Sequence, residues 1–303
     1  MTTAPKNTVI KPMSAFLFEA DEIPASGSQH ESNISHNSVP SLLKWTGSKR
    51  SQAARIAAYA PAFDRYYEPF IGGGALLYLL AKPGAVAADI YAPLTAFWTM
   101  VRDEPERLIA DYARQWEALQ KDLPGYFYLV RDRYNASHQP EDLNFLMRTC
   151  VNGIVRFSKK GDFNNSFHLS RKGMSPHRFA GIVRSWTIKL RKVEVRHGDF
   201  EQTVDDAKAG DFVYLDPPYA GNKQRYINDL DVTRFYEVLD RLNQRGVRWA
   251  LSFDGARGDT VYDYTIPNGV YQRKVLLDSG HSAVSKVLNG PVEMVTESLY
   301  LNY

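Results

Sequence analysis

The chain has a single cysteine among its 303 residues. Cys150 therefore has no internal disulfide partner, and a thiolate cage for a metal cannot be built from this sequence, so no metal site is expected. No apolar run reaches the length needed to cross a bilayer. The first residues also lack the charged-then-apolar pattern of a secretory signal, so a soluble, cytoplasmic chain is expected. No Gly-Lys-Ser/Thr follows a glycine-rich turn, which excludes a Walker A phosphate loop, and no internal repeat is visible. Net charge is small as well, at +3. What is present is a globular composition, 44% hydrophobic with 13% aromatic residues, sufficient for one large core or a core with an inserted lobe.

The most informative stretch is Asp216-Pro217-Pro218-Tyr219. The apolar, β-branched and aromatic residues 211–215 before it read as a buried strand. Two prolines then stop the strand, since neither donates to a ladder and each fixes φ near −65°. Asp216 and Tyr219 are thereby held in a stiff turn at a strand's carboxyl end, the edge where open α/β sheets bind ligands. A carboxylate, carbonyls without competing N–H groups and an aromatic face suit a flat amino group on a stacked base. An ordinary proline-containing turn is the plain alternative for this segment taken alone.

A second turn answers it. Residues 66–74 run from Tyr66-Tyr67 through Glu68-Pro69-Phe70-Ile71 into Gly72-Gly73-Gly74, with an apolar helix expected over 75–81. Glycines between strand and helix let a ligand approach the backbone closely. Leu77 stands where the dinucleotide fingerprint needs glycine, which disfavours a pyrophosphate site. A strand over 85–88 then ends in Asp89, placed to accept bonds from a ribose diol. Strand, glycine turn, helix, strand and acid describe an adenosine pocket without a phosphate cradle, and that combination fits S-adenosylmethionine. Upstream, Gly47 and Ser48 supply a tight turn before a helix expected over 51–59.

Residues 1–40 have no sustained period and read as a flexible N-terminal arm in which His30 and His36 are solvated. Helices are expected over 105–121, 126–137 and 141–157, followed by a polar loop or hairpin over 158–178. From Arg156 to Arg196 eleven Lys and Arg face only Asp162 and Glu194, so the modest total charge hides a basic surface. Phe157, Phe163, Asn164, Asn165 and Phe167 interleave with these cations, a mixture that favours nucleic acid over a merely solvated face. Beyond it, a strand near 193–197 leads to Asp199-Phe200, again an acid and a ring at a strand end. The polar loop 220–229 carries Lys223 and Arg225. A helix over 233–245 and a strand from Val247 follow, and 271–277 and 293–303 alternate in the antiparallel manner around a Ser-rich loop with His281.

These residues together resemble the Dam-like N6-adenine DNA methyltransferases of the D-P-P-Y type. The family's K-W-x-G-G-K opening is matched by Lys44-Trp45-Thr46-Gly47-Ser48-Lys49, with Ser48 replacing the second glycine. Its F-x-G-x-G turn is matched by Phe70 to Gly74 after Glu68-Pro69, its ribose acid by Asp89, and its G-D-F segment by Gly198-Asp199-Phe200. Its R-F/Y…G-x-F-N signature falls on Arg156-Phe157 and Gly161-Asp162-Phe163-Asn164. The resemblance covers roughly residues 40–303.

The resemblance implies an α/β fold: a Rossmann-like methyltransferase sheet, mostly parallel with a C-terminal antiparallel hairpin strand, plus an inserted helical DNA-recognition lobe. The catalytic domain would comprise 41–100 and 196–303, and the target-recognition domain 101–195. It implies S-adenosyl-L-methionine held by Trp45, Lys49, Glu68, Pro69 and Phe70, with Gly72, Gly74 and Asp89 beneath it and Asp199, Phe200 and Asp216 beside it. Catalysis would fall to Asp216, Pro217, Pro218 and Tyr219, acting on an adenine flipped out of duplex DNA. Duplex contacts would come from Arg156, Lys159, Lys160, Asn164 and Asn165, then Arg171, Lys172 and Arg178, and from Lys223 and Arg225.

Implied partners are double-stranded DNA and, as a candidate, a cognate restriction endonuclease, with a monomeric enzyme encoded by a bacterium or a phage. Family weighting favours GATC as target, though the sequence itself does not specify one. Cytosine C5 methylation is disfavoured because Cys150 has no preceding proline. Methylation of amino-cytosine and a non-catalytic DNA-binding regulator on the same scaffold are the alternatives. RNA- or protein-amide methyltransferases usually show Asn where Asp216 stands.

Overall fold

The computed structural model describes residues 39–158, 160–170, 172–218, 230–257, 260–262, 266–267, 269–281 and 294–303, with backbone alone at 254–257, 260–262, 278–281 and 294–296. Nearly all of the arm expected over 1–40 therefore lies outside the described residues, as do Lys159, Arg171, Tyr219, Lys223 and Arg225.

The first elements are α1 (Ala53–Ala57), β1 (Tyr66–Glu68), α2 (Ala75–Leu80) and β2 (Val86–Asp89). A helical stretch follows: α3 (Ala92–Asp103), α4 (Pro105–Lys121), α5 (Gly125–Ser137), α6 (Pro140–Thr149) and α7 (Pro176–Leu190). The chain then returns through β3 (Glu194–His197), α8 (Phe200–Thr203), β4 (Phe212–Leu215), α9 (Val232–Gln244) and β5 (Arg248–Arg257). It ends with β6 (Thr260–Tyr262), β7 (Arg273–His281) and β8 (Met294–Leu301). No helix among the described residues is long and apolar enough to cross a membrane.

The sheet order is β3-β2-β1-β4-β5-β8-β7, with β6 added to β5. Strands β3 to β5 pair in parallel, while β8 is antiparallel to both β5 and β7, so the expected mixed α/β sheet is present. Successive strand residues feed opposite faces. Tyr66, Ala87, Tyr214 and Ala250 join one core, whereas Tyr67, Val86, Val213 and Trp249 join the other, with Phe235, Leu239 and Leu242 of α9 over them. The first core continues without a break from the sheet into the helical stretch, through Phe97, Trp98, Leu108, Phe145 and Trp186.

Proline stands in the first turn of α3, α4, α6 and α7, where its missing N–H costs nothing. Helices α3 and α7 add to the three expected in this part of the chain. The expected helix over 141–157 stops early, at Thr149, and a 3-10 turn at Val151–Gly153 follows. Asn152 and Gly153 take φ of 56° and 63°, which a right-handed helix cannot accommodate. Asn-Gly is a turn signal that the apolar period over 141–157 had masked. Bridges Cys150↔Phe167 and Phe157↔Phe163 pair the two sides of a hairpin-like loop that begins before the one expected over 158–178, whose last residues, from Pro176, open α7 instead.

Candidate active site

Chain direction across the sheet reverses beside β1. From β1 the chain moves outward to β2 and β3, then crosses back to place β4 on the other side of β1. Such a switch point opens a crevice at the strands' carboxyl ends. Here it is formed by the glycine turn after β1 and by Asp216-Pro217-Pro218 after β4. A cavity of about 310 Å³ occupies it, and both turns contribute to its wall.

The glycine turn is tight. Ile71 N–H donates to Ala88 O at 2.8 Å and Gly74 N–H to Ile71 O at 2.7 Å. Gly74 has φ +66°, and a Cβ there would stand 3.1 Å from both Trp98 and Trp186, so the turn needs glycine for backbone and space alike.

A buried charge cluster lies where the turns meet. Lys49 Nζ donates to Asp216 Oδ1 at 2.7 Å, with the lysine 5% and the aspartate 19% exposed. Glu297 Oε2 lies 3.9 Å from the same ammonium. Below them Glu68 is buried and accepts the Tyr66 hydroxyl at 2.7 Å. Burial pushes the Glu68 carboxyl up to about 8; the Asp216 charge adds to the rise, while the Tyr66 hydroxyl and a backbone bond from Leu77 oppose it. At neutral pH Glu68 is therefore mostly a neutral acid. Across the cavity, Asp89 accepts N–H groups from Tyr91 at 3.0 Å and Gly72 at 3.4 Å. Burial pushes its carboxyl up to about 6 against the pull of those donors.

Of the residues expected around the cofactor, Trp45, Lys49, Glu68, Phe70, Gly72, Gly74, Asp89 and Asp216 line this cavity, as do Pro217 and Pro218. Pro69, Asp199 and Phe200 are not among its lining residues. Asp199 instead caps α8, accepting the Glu201 N–H at 3.0 Å, and receives Arg234 Nη2 on the same oxygen. Phe200 stacks on Phe70 at 5.5 Å and so backs a wall residue without reaching the cavity. Tyr91, Phe157 and Tyr214 also line it, although sequence reasoning had not placed them there. Tyr91 was findable as the aromatic residue two places past Asp89. Phe157 brings the basic loop to the cavity's edge, standing edge-on to Tyr91 at 5.5 Å.

Around that loop Arg156, Lys160, Lys172 and Arg178 are exposed, and Arg156 Nε donates to Asn164 Oδ1 at 3.0 Å. Asn165 is buried. Its amide donates to Val151 O at 3.0 Å and Ile154 O at 2.9 Å and accepts the Ser166 N–H at 2.8 Å, so it builds the loop from within. Two cations counted toward the basic surface are paired with acids: Arg184 with Glu106 at 2.9 Å, and Arg196 with Glu194 and with Asp206.

Comparison with known proteins adds an independent finding. Residues 45–272 match the family model described as D12 class N6 adenine-specific DNA methyltransferase. The chain is 30% identical over 245 residues to Type II methyltransferase M.MjaIII of Methanocaldococcus jannaschii, covering 71% of this chain and 84% of the relative. It is 30% identical over 189 residues to Type II methyltransferase M1.LlaDCHI of Lactococcus lactis subsp. cremoris, covering 59% and 65%. It is also 30% identical over 187 residues to a DNA adenine methylase of Serratia marcescens, covering 59% of this chain and 66% of that protein.

Proposed function

The chain belongs to the D12 class of N6 adenine-specific DNA methyltransferases, and from that premise we propose that its switch-point cavity holds S-adenosylmethionine and an extruded adenine side by side. The family's reaction, methylation of adenine in DNA, is the function of this chain. The observation that carries the reading of the site is the shared cavity: the proline turn and the glycine turn both line it.

The residues fit such a cofactor. The volume is at the small end of ordinary ligand pockets. Asp89 offers carboxylate oxygens to a ribose diol, and Trp45, Ile90 and Tyr91 give an aromatic and apolar wall for a purine. Lys49 and Asp216 place charges of both signs near the end suited to an amino-acid tail. When bound, S-adenosylmethionine supplies an electrophilic sulfonium methyl group.

The chain's own residues prepare the nucleophile. Asp216 and the Pro217 carbonyl accept the two N–H bonds of the adenine amine, which draws the nitrogen lone pair out of conjugation with the ring. Lys49, on Asp216 Oδ1, keeps that carboxylate ionised and fixed in direction. Pro217 and Pro218 stiffen the turn, so little reorganisation accompanies reaction. Tyr219, outside the described residues, is assigned the stacking role from sequence alone. Phe157 links the site to the basic loop, where Arg156, Lys160, Lys172 and Arg178 meet duplex phosphates. The names of two relatives as type II methyltransferases support a restriction–modification setting.

Transfer of labelled methyl groups to duplex DNA, RNA and protein in parallel tests the reading. Label should enter N6 of adenine in duplex DNA, and Asp216→Ala should abolish it while retaining DNA binding. Near-normal turnover by that variant defeats the assignment.

A further inference from the structure

Residues 39–49 form a strap between the helical part of the molecule and the glycine turn. On the helical side Arg148, buried, donates to the carbonyls of Ser41 and Leu42, and Trp186 Nε1 donates to Pro40 O at 3.0 Å. A Cβ on Gly153 would stand 2.7 Å from the Lys44 side chain, so strap and loop are already in close contact. On the other side, a Cβ on Gly72 would stand 3.0 Å from Trp45, and one on Gly73 3.0 Å from Ser48. The strap then ends in Lys49, on Asp216.

The bonds from Arg148 and Trp186 use strap carbonyls that any residue would supply. The bond from the base of the basic loop does not. The Val155 N–H donates to Thr46 Oγ1 at 2.9 Å. Val155 is buried and immediately precedes Arg156, at the base of the basic loop; Thr46 is three residues before Lys49. We propose that Thr46 is a positioning residue that ties the target-reading loop to the Lys49–Asp216 pair through this hydrogen bond, so that a correctly seated DNA site sets the catalytic carboxylate. The inference rests on the DNA-methyltransferase reading of the cavity.

Physically, the strap is held at both ends and has little slack. A shift of the Val155–Arg156 backbone on seating DNA is delivered to Thr46, and from there along three residues to the ammonium that orients Asp216. Effects of small displacements on near-attack geometry are steep. Valine has nearly the shape of threonine but cannot accept, so Thr46→Val leaves the Val155 N–H without its acceptor, while Thr46→Ser keeps the bond.

The test uses the full chain, S-adenosylmethionine and duplexes carrying either its own target, found by methylation-sensitive sequencing, or that target with one base pair changed. Single-turnover transfer on the target should fall roughly tenfold in Thr46→Val, the scale of one unmade buried hydrogen bond. Transfer on the altered duplex should fall less, so the ratio between the two shrinks. Thr46→Ser should restore rate and ratio, and amide exchange at Val155 should quicken in the valine variant alone. An unchanged ratio in Thr46→Val overturns the link. So does a loss that appears only as a raised KM for S-adenosylmethionine, or a serine variant that fails to recover. Wild-type protein inactive on every duplex overturns the proposed site itself, which separates the two failures.

Discussion

Lys49 and Asp216 lie 167 positions apart in the chain and 2.7 Å apart in space. The pair joins the loop before α1 to the turn after β4, and both partners are largely removed from water. Burying the ammonium is costly unless its partners stay ionised, and keeping Asp216 ionised is what an acceptor of amine protons requires.

Lys49→Met should therefore lower the methyl-transfer rate constant on the order of 10²-fold, comparable to deleting one aligned polar group from a preorganised site. Single-turnover rates at saturating cofactor and DNA check this. Lys49→Arg, which keeps the charge, should lose less.

Glu68 should make stability depend on pH. Its carboxyl is pushed up to about 8 in the fold from an ordinary value of 4.5, so the folded state binds the proton more tightly than the unfolded chain. Stability from this group is fully present below about 4.5, declines as pH rises, and is lost once pH passes about 8. Glu68→Gln keeps a neutral partner for Tyr66. Urea unfolding at pH 5 and pH 8.5 should show the variant gaining on the wild type as pH rises; a constant gap contradicts the buried neutral acid.

Asp89 should set the acid limit of cofactor binding. Burial pushes its carboxyl up to about 6, so the ionised form proposed to accept ribose hydroxyls is depleted below that value. Affinity for S-adenosylmethionine, followed calorimetrically from pH 8 to pH 5, should weaken through about 6. Asp89→Asn should bind weakly at every pH in that range.

The exposed cations of the 156–178 region should govern the salt response. Log affinity for a duplex should fall linearly with log salt, and each of Lys160→Ala, Lys172→Ala and Arg178→Ala should reduce the slope by about 1 if it meets a phosphate. Arg184→Ala, whose cation is paired with Glu106, should leave the slope unchanged.

Much of this site was legible in sequence because its parts are local. A strand ended by two prolines, a strand ended by three glycines and a strand ended by Asp89 each announce themselves within ten residues. That the first two share a wall follows from parallel pairing of β1 with β4, which the α/β pattern also predicts. What could not be read were relationships spanning the chain. Nothing near Lys49 points to Asp216, and nothing near Asp199 points to Arg234, the cation that acid pairs with. Asn165 looked like a base-reading group beside Asn164. Burial alone separates them, and burial there depends on the turn at Asn152-Gly153 that an apolar run concealed.

One core runs from the inner face of the sheet into the helices that carry the basic loop, with Trp98 and Trp186 in contact at 4.7 Å within it. The helical portion is thus not a detachable reading head. Transplanting it between relatives would strip indole and phenyl rings of their packing on both donor and recipient, and such hybrids should collapse before they could acquire a new target. New sequence preferences should accordingly be sought at the outer rim, residue by residue, on an undivided trunk.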